Sequence, residues 1–184
     1  MPRSLRVGLV TAAFVALAVV ARLLLPPDGV TFAFVAVWAP MTWLGTISRW
    51  VPPRLPAGWY RLRVVERDGR LHELLGVRAA KALLRRGPIA AFNPHLHLPA
   101  ERTPAALADL ERRMEVAEAS HVVAGAIGLG VAAVAAARGW WSAAAWAVAF
   151  DVLLNGYPVL LQRYNRALLH RRSGPSGPSE ISGP

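Results

Sequence analysis

Four long apolar runs constrain the fold of this chain more than any other feature. They cover residues 7–25, 30–48, 119–137 and 140–162, and each is at least 19 residues long. A helix rises about 1.5 Å per residue, so the shortest run extends roughly 28 Å, which is close to the thickness of the hydrocarbon core of a bilayer. The pattern predicts an all-α membrane protein with four transmembrane helices.

The connections between these runs predict two helical hairpins. Only residues 26–29 separate the first two runs, and only residues 138–139 separate the last two. The predicted regions are residues 1–50 as the first transmembrane hairpin, 51–118 as a cytoplasmic or interfacial segment, 119–172 as the second transmembrane hairpin with a basic C-terminal end, and 173–184 as a disordered tail rich in Gly, Ser and Pro.

A cleaved signal peptide is an alternative interpretation of the first run. Arg3 and Arg6 precede the run, and small residues near its middle could pass as a cleavage site. The apolar residues nevertheless continue to Leu25, and the second run follows after only four residues. We therefore predict that the first run is retained as a transmembrane helix.

The distribution of basic residues predicts the orientation of the helices. Nineteen of the 21 lysines and arginines lie before the first run, between the second and third runs, or after the fourth. The positive-inside rule places these regions in the cytoplasm, which predicts a multi-pass protein of the cell membrane with both termini cytoplasmic. The net charge of +10 also suits nucleic-acid binding, but no nucleic-acid motif is present and no such partner is predicted.

The middle segment predicts three local structures. The stretch WYRLRVVERDGRLHELLGV alternates on both sides of Asp68-Gly69, which predicts a short β-hairpin. The stretch VRAAKALLRRG predicts a basic amphipathic helix that lies on the membrane surface. Thr103 before Pro104 is typical of a helix start, and this helix is predicted to run into the third apolar run.

Polar side chains mark one face of the fourth run. Four of them have spacings that an α-helix places on the same side: Asp151, Asn155, Gln162 and Arg166. A carboxylate inside a membrane span is costly and faces a cavity or a partner. Asp151 is therefore predicted either to serve a functional site or to pair with Arg22 or Arg138.

Glu118 and His121 form a Glu-x-x-His pair where the third run begins. Both side chains share one helix face, and a carboxylate beside an imidazole suits a general base. The pair also resembles half of a di-iron site, but the chain has no second Glu-x-x-His and no cysteine, so no metal or cofactor is predicted. A surface ion pair is the plainer alternative. His95 and His97 are a weak metal motif and fit an interfacial loop better.

The fourth run ends in the basic stretch QRYNRALLHRR. Helix anchoring at a membrane surface requires only lysine or arginine side chains. Tyr164 and Asn165 stand between two of the arginines and are not needed for that purpose. Their presence predicts that the stretch also forms part of a binding site.

Residues spread along the chain in a characteristic order give a resemblance to a known family. They are Glu66 with Gly69, Val77-Arg78 with Lys81, Ala117-Glu118 with His121, then Asn155, Pro158 and Gln162-Arg163-Tyr164-Asn165-Arg166. Over about residues 56–172 the chain resembles the glycosyl-4,4'-diaponeurosporenoate acyltransferases. The resemblance implies a membrane enzyme that transfers a fatty acyl group to a sugar hydroxyl of a glycosylated carotenoid or similar glycolipid. The implied partners are membrane lipid, an acyl donor and the glycosylated acceptor.

These residues give a hypothesis for the site. His121 is expected to act as base for the sugar hydroxyl, with Glu118 orienting it. Arg163, Asn165 and Arg166 are expected to hold a donor phosphate or the oxyanion. The other expected substrate-binding residues are Asp151, Asn155, Gln162 and Tyr164. A non-catalytic membrane scaffold and a small oligomeric transporter stay open as alternatives, and the sequence predicts no oligomeric state.

Overall fold

The structure, a computed structural model, describes residues 1–79, 82 and 103–173. This part of the chain contains helices and no strand. The elements are α1 (Arg3–Leu24), α2 (Val30–Ile47), a 3-10 turn (Val64–Glu66), α3 (Arg70–Leu74), α4 (Pro104–Ala137), α5 (Trp141–Asp151), a π turn (Val152–Gly156) and α6 (Tyr157–Ser173).

Four helices are long and apolar enough to cross a membrane, which confirms the four predicted helical spans. They are α1, α2, α4 and the continuous helix Trp141–Arg171 formed by α5, the π turn and most of α6. The fourth helix extends well past residue 162, where the apolar run ends, because the basic stretch continues it. Their arrangement as two membrane hairpins and the proposed domain boundaries stay predictions.

Small residues hold the helices together. Ala33 and Val37 of α2 lie in one buried cluster with Ala132 of α4 and Ala143 and Ala147 of α5. Alanine side chains let helix backbones approach closely, which is the usual basis of packing between membrane helices. Helix α2 thus contacts both α4 and α5, whereas only 6% of the most apolar window of α1 is buried.

Helix α4 begins where the sequence predicts. The Thr103 side chain accepts a hydrogen bond from the Ala106 N–H at 3.2 Å, and Pro104 occupies the first helical position. The helix then runs unbroken for 34 residues into the third apolar run, as predicted. At about 1.5 Å per residue it is about 51 Å long, which exceeds the roughly 30 Å that a helix needs to cross a hydrocarbon core.

The predicted β-hairpin around Asp68-Gly69 is wrong. Residues Val64–Glu66 form the 3-10 turn, and Gly69 has a φ of 75° at the start of α3. Asp68 Oδ1 accepts the Arg70 N–H at 3.0 Å and so stabilises a turn into a helix. The alternating pattern was misleading because it does not reflect pairing with a second strand. Its inward-facing polar residue, Glu66, instead binds Arg163 of the fourth membrane helix.

Three other predicted features lie outside the described residues. They are most of the basic amphipathic helix, the His95 and His97 loop, and the tail from residue 174 onward.

Candidate functional site

A π turn, Val152–Gly156, interrupts the fourth membrane helix. Pro158 follows it and has no N–H, so the Leu154 carbonyl lacks its usual α-helical donor. His121, on the facing helix α4, has its Nδ1 atom 3.2 Å from Oδ1 of Asn155 within this turn. Single π turns within α-helices occur frequently at functional sites. This turn is therefore a candidate functional site.

The π turn also shifts the buried face of the helix. A π turn contains about one residue more than an α turn, so an α-helical spacing fails across it. The sequence places Gln162 on the face of Asn155, but Gln162 is only half-buried and Arg163 is buried instead. The buried polar face therefore consists of Asp151, Asn155, Arg163 and Arg166.

His121, Asn155 and Asp151 form a hydrogen-bonded chain between α4 and the fourth membrane helix. The Asn155 Nδ2 group donates to Asp151 Oδ1 at 2.8 Å, and Asn155 Oδ1 lies 3.2 Å from His121 Nδ1. Because an amide oxygen only accepts, Nδ1 carries the proton and Nε2 is left as the basic atom. Asp151 and Asn155 are buried, whereas His121 is partly exposed. The arrangement is that of an oriented general base.

Two glycines of α4 provide the space that Asp151 occupies. A Cβ atom at Gly125 would lie 3.5 Å from Asp151 Oδ2, an ordinary contact. A Cβ atom at Gly128 would lie 2.9 Å from Asp151 Cγ, which is too close. Gly130 faces open space, where a Cβ atom would meet nothing within 4 Å. Gly128 is therefore the glycine that the position of Asp151 requires.

We expect Gly128→Ala to destabilise the protein by about 1–3 kcal/mol, the usual effect of overpacking a well-packed site. The added methyl group displaces Asp151 and breaks its hydrogen bond to Asn155. Gly130→Ala is the matched control, and it should leave stability unchanged or raise it, since alanine favours a helix by up to about 1 kcal/mol over glycine. Thermal unfolding in detergent measures both, and equal effects would refute the close contact at Gly128.

Arg163 uses all five of its N–H donors within the protein. Its Nε and Nη2 atoms donate to the two oxygens of Glu66, each at 2.7 Å. Nη1 donates to Glu118 Oε1 and the Trp59 carbonyl, each at 3.0 Å, and Nη2 to the Arg61 carbonyl at 3.3 Å. A guanidinium has five N–H groups, so none is left for a phosphate or an oxyanion. The binding role expected for Arg163 does not fit this geometry.

Arg166 and Glu118 complete a buried ion-pair network. Arg166 Nη2 donates to Glu118 Oε2, and its Nη1 donates to the Tyr60 carbonyl at 3.0 Å. Trp59 Nε1 also donates to Glu118 Oε1 at 2.9 Å, and Glu118 is fully buried. The ion-pair network consists of Glu66, Glu118, Arg163 and Arg166. The two positive and two negative charges of these buried residues balance, as buried charges require, and the partly exposed Glu115 lies at the edge of the network, 4.0 Å from Arg166 Nη1.

The expected pairing of Glu118 with His121 is therefore wrong. Both oxygens of Glu118 are bound to the network, and the ring of His121 is bound to Asn155. The two residues share a helix face, but each finds its partner on the neighbouring helix. Asp151 likewise pairs with Asn155, and neither Arg22 nor Arg138 is its partner.

Tyr164 connects the fourth membrane helix to the middle segment. Its hydroxyl donates to Glu73 Oε1 at 3.0 Å, and its buried ring packs with Val77 and Leu161. A Cβ atom at Gly69 would lie only 3.1 Å from this ring. Together with the ion-pair network, Tyr164 holds residues 59–77 against the helices. The half-buried Gln162 and Asn165 lie on the same helix.

Glu66 and His72 form the side of the network that lies outside the membrane helices. Hydrogen bonds from Arg163 hold the pKa of Glu66 at about 2, below its ordinary value of 4.5. His72 is fully buried, with Nε2 3.9 Å from Glu66 Oε1. Neither of its ring nitrogens has a hydrogen-bond partner among the described residues. Burial lowers the pKa of His72 below 6.5, so the ring is neutral near pH 7.

We expect the protein to lose stability as the pH falls from 7.5 to 5. Because burial lowers the pKa of His72 in the folded chain, the unfolded chain binds a proton at residue 72 more readily as the pH falls below 6.5, and acid favours unfolding. Glu66 adds to the loss only between about pH 4.5 and 2, since its folded pKa is also lowered. His72→Leu should flatten the dependence above pH 5, and His170→Ala, at an exposed histidine, should retain it. Unfolding temperatures at several pH values test this, and an unchanged slope in His72→Leu would contradict it.

A basic cleft of about 620 Å³ lies on the outer side of the network. Its lining includes Tyr60, Arg61, Arg67, Glu115, His170 and Arg171. The three arginines have no carboxylate partner in residues 1–79, 82 and 103–173, whereas His170 pairs with Glu111 at 2.7 Å. Arg171 Nη1 donates to the Asp68 carbonyl at 3.0 Å, so among the described residues the cleft offers the guanidinium groups of Arg61 and Arg67 and the remaining N–H donors of Arg171.

Sequence analysis did not predict that Glu66 and Trp59 lie at the site, or that the middle segment packs against the helices. Glu66 carried part of the family resemblance but was not placed at the site. One signal could have indicated it, since two arginines on a buried helix face require two carboxylates, and Glu118 supplies only one. In the described part of the chain, no three His, Cys, Asp or Glu side chains are grouped as for a metal ion.

The comparison with known proteins covers both the hydrogen-bonded chain of His121, Asn155 and Asp151 and the ion-pair network. The sequence model of the glycosyl-4,4'-diaponeurosporenoate acyltransferase family matches residues 56–173, well over half of the chain. The match includes the His121, Asn155 and Asp151 chain and the whole ion-pair network, and it leaves out α1 and α2. The chain matches no curated protein and no solved structure. From the extent of the family match, and the position of both buried polar groups within it, we conclude that the chain belongs to the glycosyl-4,4'-diaponeurosporenoate acyltransferase family.

Proposed function

We propose that the protein is an integral membrane acyltransferase that moves a fatty acyl group onto a sugar hydroxyl of a glycosylated carotenoid or similar glycolipid. Family membership supports acyl transfer in a carotenoid pathway. Four apolar helices support a location in the membrane, where both lipid substrates reside. The observation that carries the proposal is the imidazole of His121, oriented by Asn155 and Asp151 beside the π turn.

His121 is the base of the proposed reaction. Its Nε2 atom removes the proton of the sugar hydroxyl while the hydroxyl oxygen attacks the acyl carbonyl carbon. The carbonyl oxygen takes up the electron pair, and the tetrahedral intermediate then breaks the bond between carbon and the donor's leaving atom. The imidazolium returns its proton to that leaving atom. Asn155 accepts the Nδ1–H bond throughout, and the Asp151 carboxylate orients Asn155 in turn.

The basic cleft replaces Arg163 and Arg166 as the proposed site for the donor's head group. Arg61, Arg67 and Arg171 line it without carboxylate partners in the described part of the chain. Guanidinium groups bind phosphate through paired, charge-assisted hydrogen bonds. Gln162 and Asn165 are further proposed contacts for the polar ends of the substrates.

We further propose that both termini face the cytoplasm and that the four spans form two hairpins in the cell membrane. The chain has no cysteine, so a single introduced thiol reports its own location. Ser4→Cys and Ser142→Cys place thiols at exposed positions at opposite ends of the bundle. We expect a membrane-impermeant maleimide to label Ser142→Cys in intact cells and Ser4→Cys only after lysis. Labelling of Ser4→Cys in intact cells would reverse the orientation.

Mass spectrometry of extractable lipids and pigments tests the acyl transfer. Cells that express the protein should contain a species heavier by one fatty acyl group than its glycosylated precursor. The His121→Ala protein should reach the membrane in equal amount and yield no such species. Formation of the species at the wild-type level by His121→Ala would refute the role of His121, and its absence with the wild-type protein would refute the reaction in those cells.

One observation favours a second candidate, a non-catalytic membrane scaffold. Every donor of Arg163 and both oxygens of Glu118 serve internal contacts, as in a purely structural network. A scaffold predicts that substitutions at the site change stability or partner binding but never lipid composition. The same lipid extracts, made from cells with matched protein levels, distinguish the two candidates.

A further inference from the structure

A second cavity lies at the opposite end of the helix bundle. It is an open groove of about 720 Å³ bounded by α1, α2, α4 and the connection before α5. Its lining includes Arg22, Phe32, Ile127, Val131, Val134 and Arg138. The volume falls within the roughly 300–1,000 Å³ of small-molecule sites. The walls are apolar apart from the two arginines, of which Arg22 lies in the last turn of α1 and Arg138 directly follows α4.

The groove is separate from the His121 site. Residues four, seven and eleven positions apart share one face of a helix. His121, Gly125 and Gly128 follow this spacing and face Asn155 and Asp151. Four of the six groove residues on α4 or at its end follow the same spacing six positions later: Ile127, Val131, Val134 and Arg138. Six residues of an α-helix correspond to about 600°, so the two faces are about 120° apart.

The two arginines of the groove have no acidic partner in the part of the chain that the structure describes. The Arg22 guanidinium lies over the Trp140 ring, 5.6 Å from its centroid. Asp28 is on the adjoining loop, but its carboxylate accepts the Ala143 N–H at 2.9 Å. Of the 21 lysines and arginines, Arg22 and Arg138 are the two that lie outside the three regions predicted to be cytoplasmic.

The depth of the arginines fits the surface of a membrane. Along α4, Arg138 follows Glu118 of the ion-pair network by 20 residues. This separation corresponds to about 30 Å, the usual thickness of the hydrocarbon core. Trp140 lies at the same end, and tryptophan is enriched at the level of lipid head groups. The arginines thus reach head-group depth while Ile127 and Val131 lie nearer the bilayer centre.

We propose that this groove binds one phospholipid of net negative charge. Its phosphate lies between Arg22 and Arg138, and one acyl chain follows the α4 stripe towards Ile127. Basic pockets between membrane helices bind anionic lipid head groups in this way. The proposal requires neither a catalytic role for His121 nor any acyl transfer.

Native mass spectrometry of the full-length protein in mild detergent tests the proposal. After removal of endogenous lipid, the protein is mixed with phosphatidylglycerol or phosphatidylcholine. We expect one phosphatidylglycerol per chain, retained at least fivefold better than phosphatidylcholine. Arg22→Gln with Arg138→Gln should abolish the preference, whereas the matched pair Arg3→Gln with Arg6→Gln, at the other end of α1, should retain it.

A second variant tests the groove without changing its charge. Gly130 belongs to the lining and a Cβ atom there meets nothing within 4 Å, so Gly130→Leu fills the space without a backbone clash. Gly130→Leu should lose the bound lipid, and Gly45→Leu, at an equally open position, should retain it. Equal lipid retention by all variants would overturn the proposal. A dimer that disappears in Gly130→Leu would also overturn it, since a second copy would then occupy the groove.

Discussion

The Arg163→Ala protein is expected to be less stable than the wild type by about 3–5 kcal/mol, the usual effect of removing one partner of a buried ion pair. The substitution leaves Glu66 without its guanidinium and Glu118 with one arginine fewer. It also removes the donors of the Trp59 and Arg61 carbonyls. These residues all belong to the middle segment or to α4. The middle segment should therefore detach from the helices before the helices themselves unfold.

Protease sensitivity of the middle segment and thermal unfolding in detergent measure this effect. Arg163→Lys keeps the charge but cannot form five hydrogen bonds in a fixed plane, so it should be intermediate. Arg112→Ala is the matched control, since it removes an exposed ion pair with Asp109, and such pairs contribute at most about 1 kcal/mol. If Arg163→Ala and Arg112→Ala behaved alike, the ion-pair network would not hold the segment in place.

A compensated variant separates lost contacts from uncompensated charge. Arg163→Met combined with Glu66→Gln removes one charge of each sign and leaves Glu118 paired with Arg166. Replacing a buried ion pair with neutral groups is often nearly neutral, so the double variant should be more stable than Arg163→Met alone. Simple addition of the two single effects would indicate that Glu66 and Arg163 do not interact.

The helices could be predicted from the sequence because the bilayer imposes a length on them. Each apolar run is long enough to cross a hydrocarbon core, and Thr103 with Pro104 fixed the start of α4 through local capping alone. The partners of the polar residues could not be predicted in the same way. Glu118 and His121 are three residues apart, yet their partners on the fourth membrane helix lie 34 to 48 residues further along the chain, and Trp59 binds Glu118 from 59 residues earlier.

Two further errors have specific physical causes. The spacing that predicted Gln162 on the polar face assumes α-helix throughout, and the π turn before Pro158 breaks that assumption. The alternation around Gly69 predicted strands because such a pattern indicates which side chains point inward. It does not indicate which residues they contact. Glu66 points inward to reach Arg163, 97 residues away in sequence. Such long-range ion pairs leave no periodic signal.

His121→Ala is expected to lower the rate of acyl transfer by about 10²–10⁴-fold, the range found for loss of a general base. The protein should remain folded, because His121 is partly exposed and lies outside the ion-pair network. Transfer of labelled acyl groups in membranes measures the rate, with unfolding temperature as the control for structure. His170→Ala, at an exposed histidine paired with Glu111, should transfer at the wild-type rate. A rate within threefold of wild type for His121→Ala would remove His121 from the mechanism.

Asn155 is expected to act through His121, so its replacement should change the pH dependence as well as the rate. In Asn155→Ala the imidazole loses the acceptor of its Nδ1–H and can adopt the wrong tautomer, which lowers the maximal rate while the histidine can still titrate. The pH profile of the rate should therefore move in Asn155→Ala and disappear in His121→Ala. Asp151→Asn removes the charge that orients Asn155 and should fall between Asn155→Ala and the wild type. If Asn155→Ala lowered stability but left the pH profile of the remaining acyl-transfer rate unchanged, Asn155 would only support helix packing.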